Sequence, residues 1–154
     1  MEADEYWAQA EKTKSRLYRV AAMYLGSESM ALDAVEEAVF KGFKSRGKLR
    51  QPEFFGTWMT RILINECKKE LNRNKRERLM DTLPETATEE FDSLPLKEAV
   101  RRLPQELKDV IILRYFSGLT LAETAQSLEI PIGTAATRQR RALALLKIGL
   151  SEEE

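Results

Sequence analysis

Three arginines stand close together near the end of the chain, at Arg138, Arg140 and Arg141. A guanidinium group carries N–H donors in a fixed fork, which suits phosphate oxygens and the O6 and N7 edge of guanine. The predicted outward face of the same helix also includes Thr134, Ala136 and Thr137. Because long charged side chains are usually solvated, the arginines by themselves indicate only an exposed helix.

The residues that precede the arginines favour DNA binding over simple exposure. Thr120 and Glu123 have the T-x-x-E spacing of a capping box, which predicts the start of a short helix. Residues 129–133, EIPIG, predict a tight turn, after which we expect Thr134 to cap the last helix. Two capped helices joined by a turn are typical of a helix-turn-helix, whose second helix enters the major groove. The segment is therefore predicted to bind duplex DNA.

Apolar spacing predicts how this segment packs. We expect the two helices to be held together by Leu121, Ala125, Leu128 and Ile130, and to be backed by Ala135, Leu143 and Leu146. Before them, Pro104 suits the first turn of a helix over residues 104–116, and Gly118 suits its end.

The composition predicts an all-α protein. Leu, Ala, Glu, Lys and Arg dominate the 154 residues, and Gly and Pro number only 7 and 5. In the first part of the chain we expect a helix over residues 3–25 ended by Gly26. We expect a second helix, capped by Ser27 or Ser29, that runs to about Ser45. A third begins near Glu53. The predicted buried stripe of the second helix is Leu32, Val35, Val39 and Phe43.

Charge divides the chain into segments, although the formal net charge is zero. Residues 1–78 hold 16 basic and 12 acidic residues, and residues 96–150 hold nine basic and five acidic. Between them, residues 79–95 hold five acidic residues, no basic residue and two prolines, which predicts a flexible linker. We therefore expect two small helical domains, 1–78 and 96–150, with basic surfaces that attract a phosphate backbone.

Several function classes are disfavoured. The chain has no histidine, a single cysteine (Cys67), no carboxylates at metal-ligand spacing and no Gly-rich phosphate loop, so we expect neither an enzyme nor a bound cofactor. Cys67 is expected to be a buried apolar residue. The acidic start and the lack of a long apolar run predict a cytoplasmic protein. A stand-alone helix-turn-helix regulator remains the alternative reading.

Two separate parts of the chain resemble one family. Residues 103–146, LPQELKDVIILRYFSGLTLAETAQSLEIPIGTAATRQRRALALL, resemble region 4 of bacterial extracytoplasmic-function (ECF) sigma factors. Two earlier stretches, RLYRVAAMYLGSESMALDAVEEAVFKGF and FFGTWMTRILINECKKELNRNKR, resemble the family's "DLVQE.F" and "F..WL..IA.N" segments. The resemblance implies a promoter-specificity subunit that binds core RNA polymerase and promoter DNA, and that an anti-sigma factor regulates.

The resemblance also implies roles for residues of the first domain. The carboxylates Asp33, Glu36 and Glu37, with Lys41, match the segment that docks on the β′ coiled coil of polymerase, while the second domain would meet the β flap. Asn65 matches a position in the loop that reads an unstacked −10 base, with Glu66 shaping its pocket. The other residues implied at −10 DNA are Trp58, Arg61, Lys68, Lys69, Arg73 and Arg76, although aromatic residues at this spacing are more often core.

Two positions depart from the family pattern. Ala136 stands where the family often has an arginine early in the recognition helix, so Ala136 and Thr137 are expected to offer apolar contacts to a thymine methyl group. Glu36 replaces the usual glutamine of the polymerase-binding segment, which predicts a contact that differs in detail.

Overall fold

The computed structural model describes residues 1–80 and 94–152, and the side chains of residues 1–73 and 95–147. Most of the acidic linker predicted over residues 79–95 lies outside the described residues. All regular secondary structure in the described ranges is helical, which confirms the predicted all-α class. The chain divides into two compact units, residues 1–86 and 87–154, called here the N-terminal and C-terminal units.

In its described part, the N-terminal unit consists of α1 (Ala3–Leu25), α2 (Glu28–Lys44) and α3 (Phe55–Met80), which pack against one another pairwise. The predicted boundary between α1 and α2 is confirmed. Gly26 takes a φ of 69° and its amide bonds to the Ala22 carbonyl, while the Ser27 hydroxyl accepts from the Met30 amide at 3.3 Å. Short 3₁₀ turns at Arg46–Lys48 and Pro52–Phe54 precede α3, which therefore begins slightly later than predicted.

The α2 helix buries a face different from the one that was predicted. Leu32, expected in the core, is 51% exposed, whereas the fully buried residues of this helix are Ala31, Ala34, Val35, Ala38 and Gly42. The small side chains allow α1 and α3 to approach the α2 backbone closely. They form the core together with larger residues such as Leu17 and Val20 of α1 and Met59 and Leu63 of α3.

In its described part, the C-terminal unit consists of α4 (Leu94–Arg101), α5 (Gln105–Ile111), α6 (Leu121–Leu128) and α7 (Ile132–Glu152). The predicted helix over residues 104–116 is interrupted: α5 ends at Ile111 and continues as a π-helical turn, Ile112–Phe116. Gly118 then takes a φ of 79°, as expected where the helical segment stops.

Helix α7 corrects two predictions. It begins at Ile132, so Thr134 lies within its first turn and does not cap it. Leu143, predicted to pack inward, is 42% exposed, while Ala135, Ala142 and Leu146 form the buried side of the helix. Their neighbours in the core include Val100, Val110 and Leu113, and α7 packs against α4, α5 and α6.

Candidate nucleic-acid interface

The turn between α6 and α7 is set by local hydrogen bonds. The capping box is complete, because the Thr120 hydroxyl accepts from the Glu123 amide at 3.0 Å and the Glu123 carboxylate accepts from the Thr120 amide at 2.9 Å. Glu129 ends α6 with a φ of 58°, and the Ile130 amide bonds back to the Ala125 carbonyl at 3.0 Å. The predicted helix-turn-helix is present with α7 as its second helix.

The predicted DNA-contact residues of α7 do not all lie on one face. Arg140 and Arg141 are exposed on the side opposite the buried Ala135 and Ala142. Thr137 lies between them on the helix surface, and its hydroxyl accepts from the Arg140 guanidinium at 3.4 Å. Thr134, Ala136 and Thr137 are half-buried. The exposed surface of the helix is therefore formed by Arg140 and Arg141, with Thr137 between them.

Arg138 lies on the flank of α7. Its side chain is 27% exposed and its guanidinium is 4.0 Å from the carboxylate of Glu106 on α5. Because Glu106 is itself well exposed, this ion pair is weak and can be exchanged for another anion. Arg138 therefore lies at the side of the helix, with its charge directed toward α5.

An arginine that the sequence did not single out holds α7 in place. Arg114, in the π-helical turn, donates from Nε to the Gln139 side-chain oxygen at 3.0 Å and from Nη1 to the Leu119 carbonyl at 2.7 Å. One guanidinium thus joins the recognition helix to the loop before α6. In the sequence, Arg114 stands within an apolar run, which indicates that its guanidinium needs a hydrogen-bond partner. The sequence does not show which residue that partner is.

The predicted −10 residues of α3 share one exposed face. Trp58, Arg61, Asn65 and Lys68 follow one another at steps of three or four residues, and Lys69 lies four residues after Asn65. All five are exposed or half-buried. Asn65 lies in the middle of α3 and not in a loop, which corrects the sequence expectation. The side chain of Arg76 lies outside the described residues.

The aromatic residues at the start of α3 have different roles. Phe55 is 2% exposed and packs edge-on against Tyr6, so it belongs to the core. Trp58 is half-buried, with its ring centroid 5.9 Å from that of Phe55. Its remaining surface faces the same side as Asn65, where a base could stack on it.

Two carboxylates lie beside the cations of α3. Arg73 bonds Glu70 through both carboxylate oxygens, at 2.8 and 2.9 Å. Glu66 forms an ion pair with Lys41 of α2, and Lys69 lies 3.8 Å from the same carboxylate. Glu66 is 7% exposed. It therefore packs between helices and does not line an open pocket, contrary to the sequence expectation.

Helix α2 presents the predicted acidic surface. Asp33, Glu36 and Glu37 are all exposed. Phe40 lies among them, 53% exposed, with the Lys44 ammonium 4.5 Å above its ring. Lys41 points instead toward α3, where it binds Glu66. The available surface is a set of carboxylates followed by an aromatic ring on the same helix face, which suits a partner that carries basic and apolar side chains.

The single cysteine is part of the core. Cys67 is completely buried, and its burial, together with the negative charges of Glu66 and Glu70, raises the pKa of its thiol to about 12. A thiol in this state is almost entirely protonated near neutral pH and is a poor nucleophile.

Each of the two helical units matches a known protein family. Residues 10–77 match the family described as Sigma-70 region 2, and residues 93–146 match Sigma-70, region 4. The sigma factor SigV of Bacillus subtilis is 34% identical over 146 residues, covering 92% of this chain and 88% of SigV. The chain belongs to the sigma-70 family. Within this family it is a sigma factor of the ECF group, and the ECF sigma factor SigW of B. subtilis is 25% identical over 87% of the chain.

Solved structures show the same fold. The Bartonella quintana sigma factor RpoE, crystallised with the anti-sigma factor NepR, superposes with a TM-score of 0.75 at 21% identity, over 94% of this chain and 97% of RpoE. CnrH, solved with the cytosolic domain of CnrY, also gives 0.75 at 18% identity, over 97% of this chain and 89% of CnrH. In the described part of this sigma factor, no helix combines the length and the apolar character needed to cross a bilayer.

Proposed function

We propose that this sigma factor binds core RNA polymerase and directs it to promoters by contacting the −35 and −10 elements through separate units. The observation that carries the proposal is a pair of exposed basic helix faces, one on α3 and one on α7, within a chain of the sigma-70 family. The boundaries that we propose for the two functional domains are residues 1–78 and 96–150, joined by the acidic segment 79–95.

The C-terminal unit would place α7 in the major groove at −35. Arg140 and Arg141 would supply the N–H donors for guanine edges and phosphates, and Arg138 would reach a phosphate from the flank after leaving Glu106. The half-buried methyl groups of Ala136 and Thr134, with Thr137, would meet thymine methyl groups or exclude water. Hydrogen-bonding specificity would thus be concentrated in the exposed arginines.

The N-terminal unit would open and read the −10 element. Asn65 has the donor and acceptors needed to recognise a base edge once that base leaves the stack, and Trp58 offers part of a ring face beside it. Arg61, Lys68, Lys69, Arg73 and Arg76 would attract the phosphate backbone. Glu66 and Glu70 already hold Lys69 and Arg73 by ion pairs, so DNA must compete for these two cations.

Core polymerase would bind the acidic surface of α2. Asp33, Glu36 and Glu37 are available for basic side chains of the β′ coiled coil, and Phe40 adds an apolar contact one turn after Glu36 and Glu37. Lys41 would contribute to this interface while it remains paired with Glu66. The C-terminal unit would meet the β flap, for which exposed apolar residues such as Leu143 and Leu145 are available.

The protein would act as a non-enzymatic initiation subunit in the cytoplasm, where the promoters are. An anti-sigma factor is proposed as its regulator, because the structural neighbours RpoE and CnrH are described in complexes with NepR and with the cytosolic domain of CnrY. Two weak DNA contacts gain effective concentration once polymerase fixes their separation, so the free protein should bind promoter DNA poorly.

Transcription in vitro tests the proposal directly. Core polymerase from the host should initiate at a specific set of genomic promoters only when this protein is added. Absence of specific initiation across a fragment library of the host genome would overturn the proposal. Tight binding to palindromic DNA without polymerase, seen in a gel shift, would instead favour a stand-alone regulator, which the presence of both sigma regions does not favour.

A further inference from the structure

Glu66 joins the two helices that the proposed function assigns to different partners. We propose that Glu66 is a positioning residue that binds Lys41 of α2 and Lys69 of α3, and so holds the −10-reading face of α3 in a fixed orientation against the polymerase-binding helix. The inference rests on the proposed function of these two helices.

Glu66 follows Asn65 directly in α3, so the two side chains leave the helix about 100° apart. Asn65 is exposed on the proposed DNA face, whereas Glu66 is 7% exposed and points toward α2. There its carboxylate binds the Lys41 ammonium, a contact between residues 25 positions apart in the chain. Any rotation of α3 about its axis that moved Asn65 would therefore also pull Glu66 away from Lys41.

Burial makes this contact selective for one orientation. The Glu66 side chain is 10% exposed, and a carboxylate at this depth is strongly unfavourable without a cation beside it. Lys69 approaches the same carboxylate at 3.8 Å but is itself 67% exposed, so it remains available to a phosphate. The Glu66 charge therefore restrains α3 through Lys41 and draws Lys69 toward the edge of the DNA face.

Lys41 connects this restraint to the proposed polymerase surface. It lies one helical turn after Glu37 of the acidic cluster. Its hydrogen bond to Glu66 raises the pKa of its ammonium group, and the negative charges of Glu66 and Glu37 add smaller effects in the same direction. Lys41 thus contacts Glu66 directly and also feels the negative charge of Glu37. When a basic partner engages Glu37, Lys41 is left with Glu66 as its counter-charge, which strengthens the hold on α3.

The experiment uses the full chain, core polymerase and a promoter on which the wild-type protein initiates. Glu66→Gln keeps the shape of the side chain and removes its charge, and Lys41→Met removes its partner. Each change should lower permanganate-detected opening by about tenfold. Polymerase affinity is compared for Glu66→Gln, which lies outside the polymerase-binding surface and should keep it within about twofold of wild type. The double variant should open the promoter as well as the less active of the two single variants, because both changes remove the same contact.

Glu70→Gln is the matched control, because Glu70 lies one turn further along α3 and bonds only Arg73 on the same helix in the described contacts. It should leave opening within about twofold of wild type or raise it. Discrimination between −10 bases is a second measurement, because a variant that is only less stable should lose activity on both templates in the same proportion. Glu66→Gln should reduce the ratio of transcription from the promoter to transcription from a version with one −10 base changed.

The outcomes separate this inference from the proposed function. If the wild-type protein initiates but Glu66→Gln opens the promoter equally well, or loses activity on both templates in proportion, Glu66 does not position α3. Additive effects of the two single changes would have the same meaning. If the wild-type protein initiates on no promoter, the proposed function itself fails.

Discussion

The Tyr6 hydroxyl occupies the space that a side chain at Gly42 would need. A β-carbon added to Gly42 would lie 2.5 Å from this oxygen and 3.1 Å from the Met59 sulfur. The hydroxyl donates to the Val39 carbonyl at 2.6 Å, which joins the first turns of α1 to the end of α2. Burial raises the pKa of Tyr6 to about 12, so the phenol remains a neutral donor at any physiological pH.

Gly42→Ala should therefore destabilise the N-terminal unit, although alanine is the better helix former. Overpacking of a filled core costs about 1–3 kcal/mol. The gain in helix propensity from glycine to alanine is at most about 1 kcal/mol, so the net effect is destabilising. Chemical denaturation followed by circular dichroism would measure the change. Gly47→Ala is the control, because nothing lies within 4 Å of its added β-carbon. A Tyr6→Phe background should reduce the cost of Gly42→Ala, and an equal cost in both backgrounds would refute the steric explanation.

Asn65→Ala should impair promoter opening without weakening the binding of core polymerase. The side chain is exposed on α3. In the proposed role it would contact a base only after that base has left the stack, so earlier steps should not depend on it. Permanganate footprinting measures opening, and a fluorescence-anisotropy titration measures polymerase binding. Asn72→Ala, at an exposed position two turns further along α3, should behave as wild type. Equal opening by the Asn65 variant and wild type would remove Asn65 from the −10 site.

Arg141→Ala should weaken recognition of the −35 element. Arg141 is exposed on the outward side of α7, and loss of a guanidinium contact to a base costs about 1–3 kcal/mol. The measurement is holoenzyme binding to promoter fragments with an intact or a scrambled −35 element. The variant should lose affinity only for the intact fragment. Arg102→Ala, an exposed arginine outside α7, is the control, and an equal loss from both variants would point to general charge attraction.

Cys67 should react slowly with thiol reagents in the folded protein. A pKa raised from 9.0 to about 12 lowers the thiolate fraction near pH 8 by roughly a thousandfold, and burial restricts access further. Ellman's reagent, followed by absorbance in native buffer and in denaturant, measures both rates. The reaction in native buffer should accelerate as pH rises toward 12, because ionisation is delayed to that range. Rapid native modification at pH 8 would contradict the buried, protonated state.

Local signals in the sequence were sufficient to predict several helix ends. Gly26, Ser27, Gly118 and the Thr120–Glu123 capping box all stand where they were expected, because a cap is a hydrogen bond or a φ angle decided within a few residues. Thr134 failed as a cap because Ile132, after Pro131, already has helical geometry. Proline favours the first positions of a helix, so a threonine a few residues after a proline leaves two possible starting points for the helix.

Side-chain burial could not be predicted with the same accuracy. Leu32 and Leu143 fit the apolar spacing of their helices, yet both are exposed, and Ala31, Ala38 and Ala142 are buried in their neighbourhood. Periodicity identifies an apolar stripe but does not tell whether a helix packs through large residues or through small ones that permit close approach. The choice depends on the shape of the neighbouring helices.

The sequence by itself determined the helical class, the helix-turn-helix, the basic surfaces and the family, because each is encoded by composition, local capping and motif order. Only the tertiary structure decided that Arg138 lies beside Glu106 and that Arg114 bonds Gln139. It also decided that Glu66 is buried against Lys41. These contacts join residues far apart in the chain, so they depend on how helices cross, which no local pattern of residues specifies.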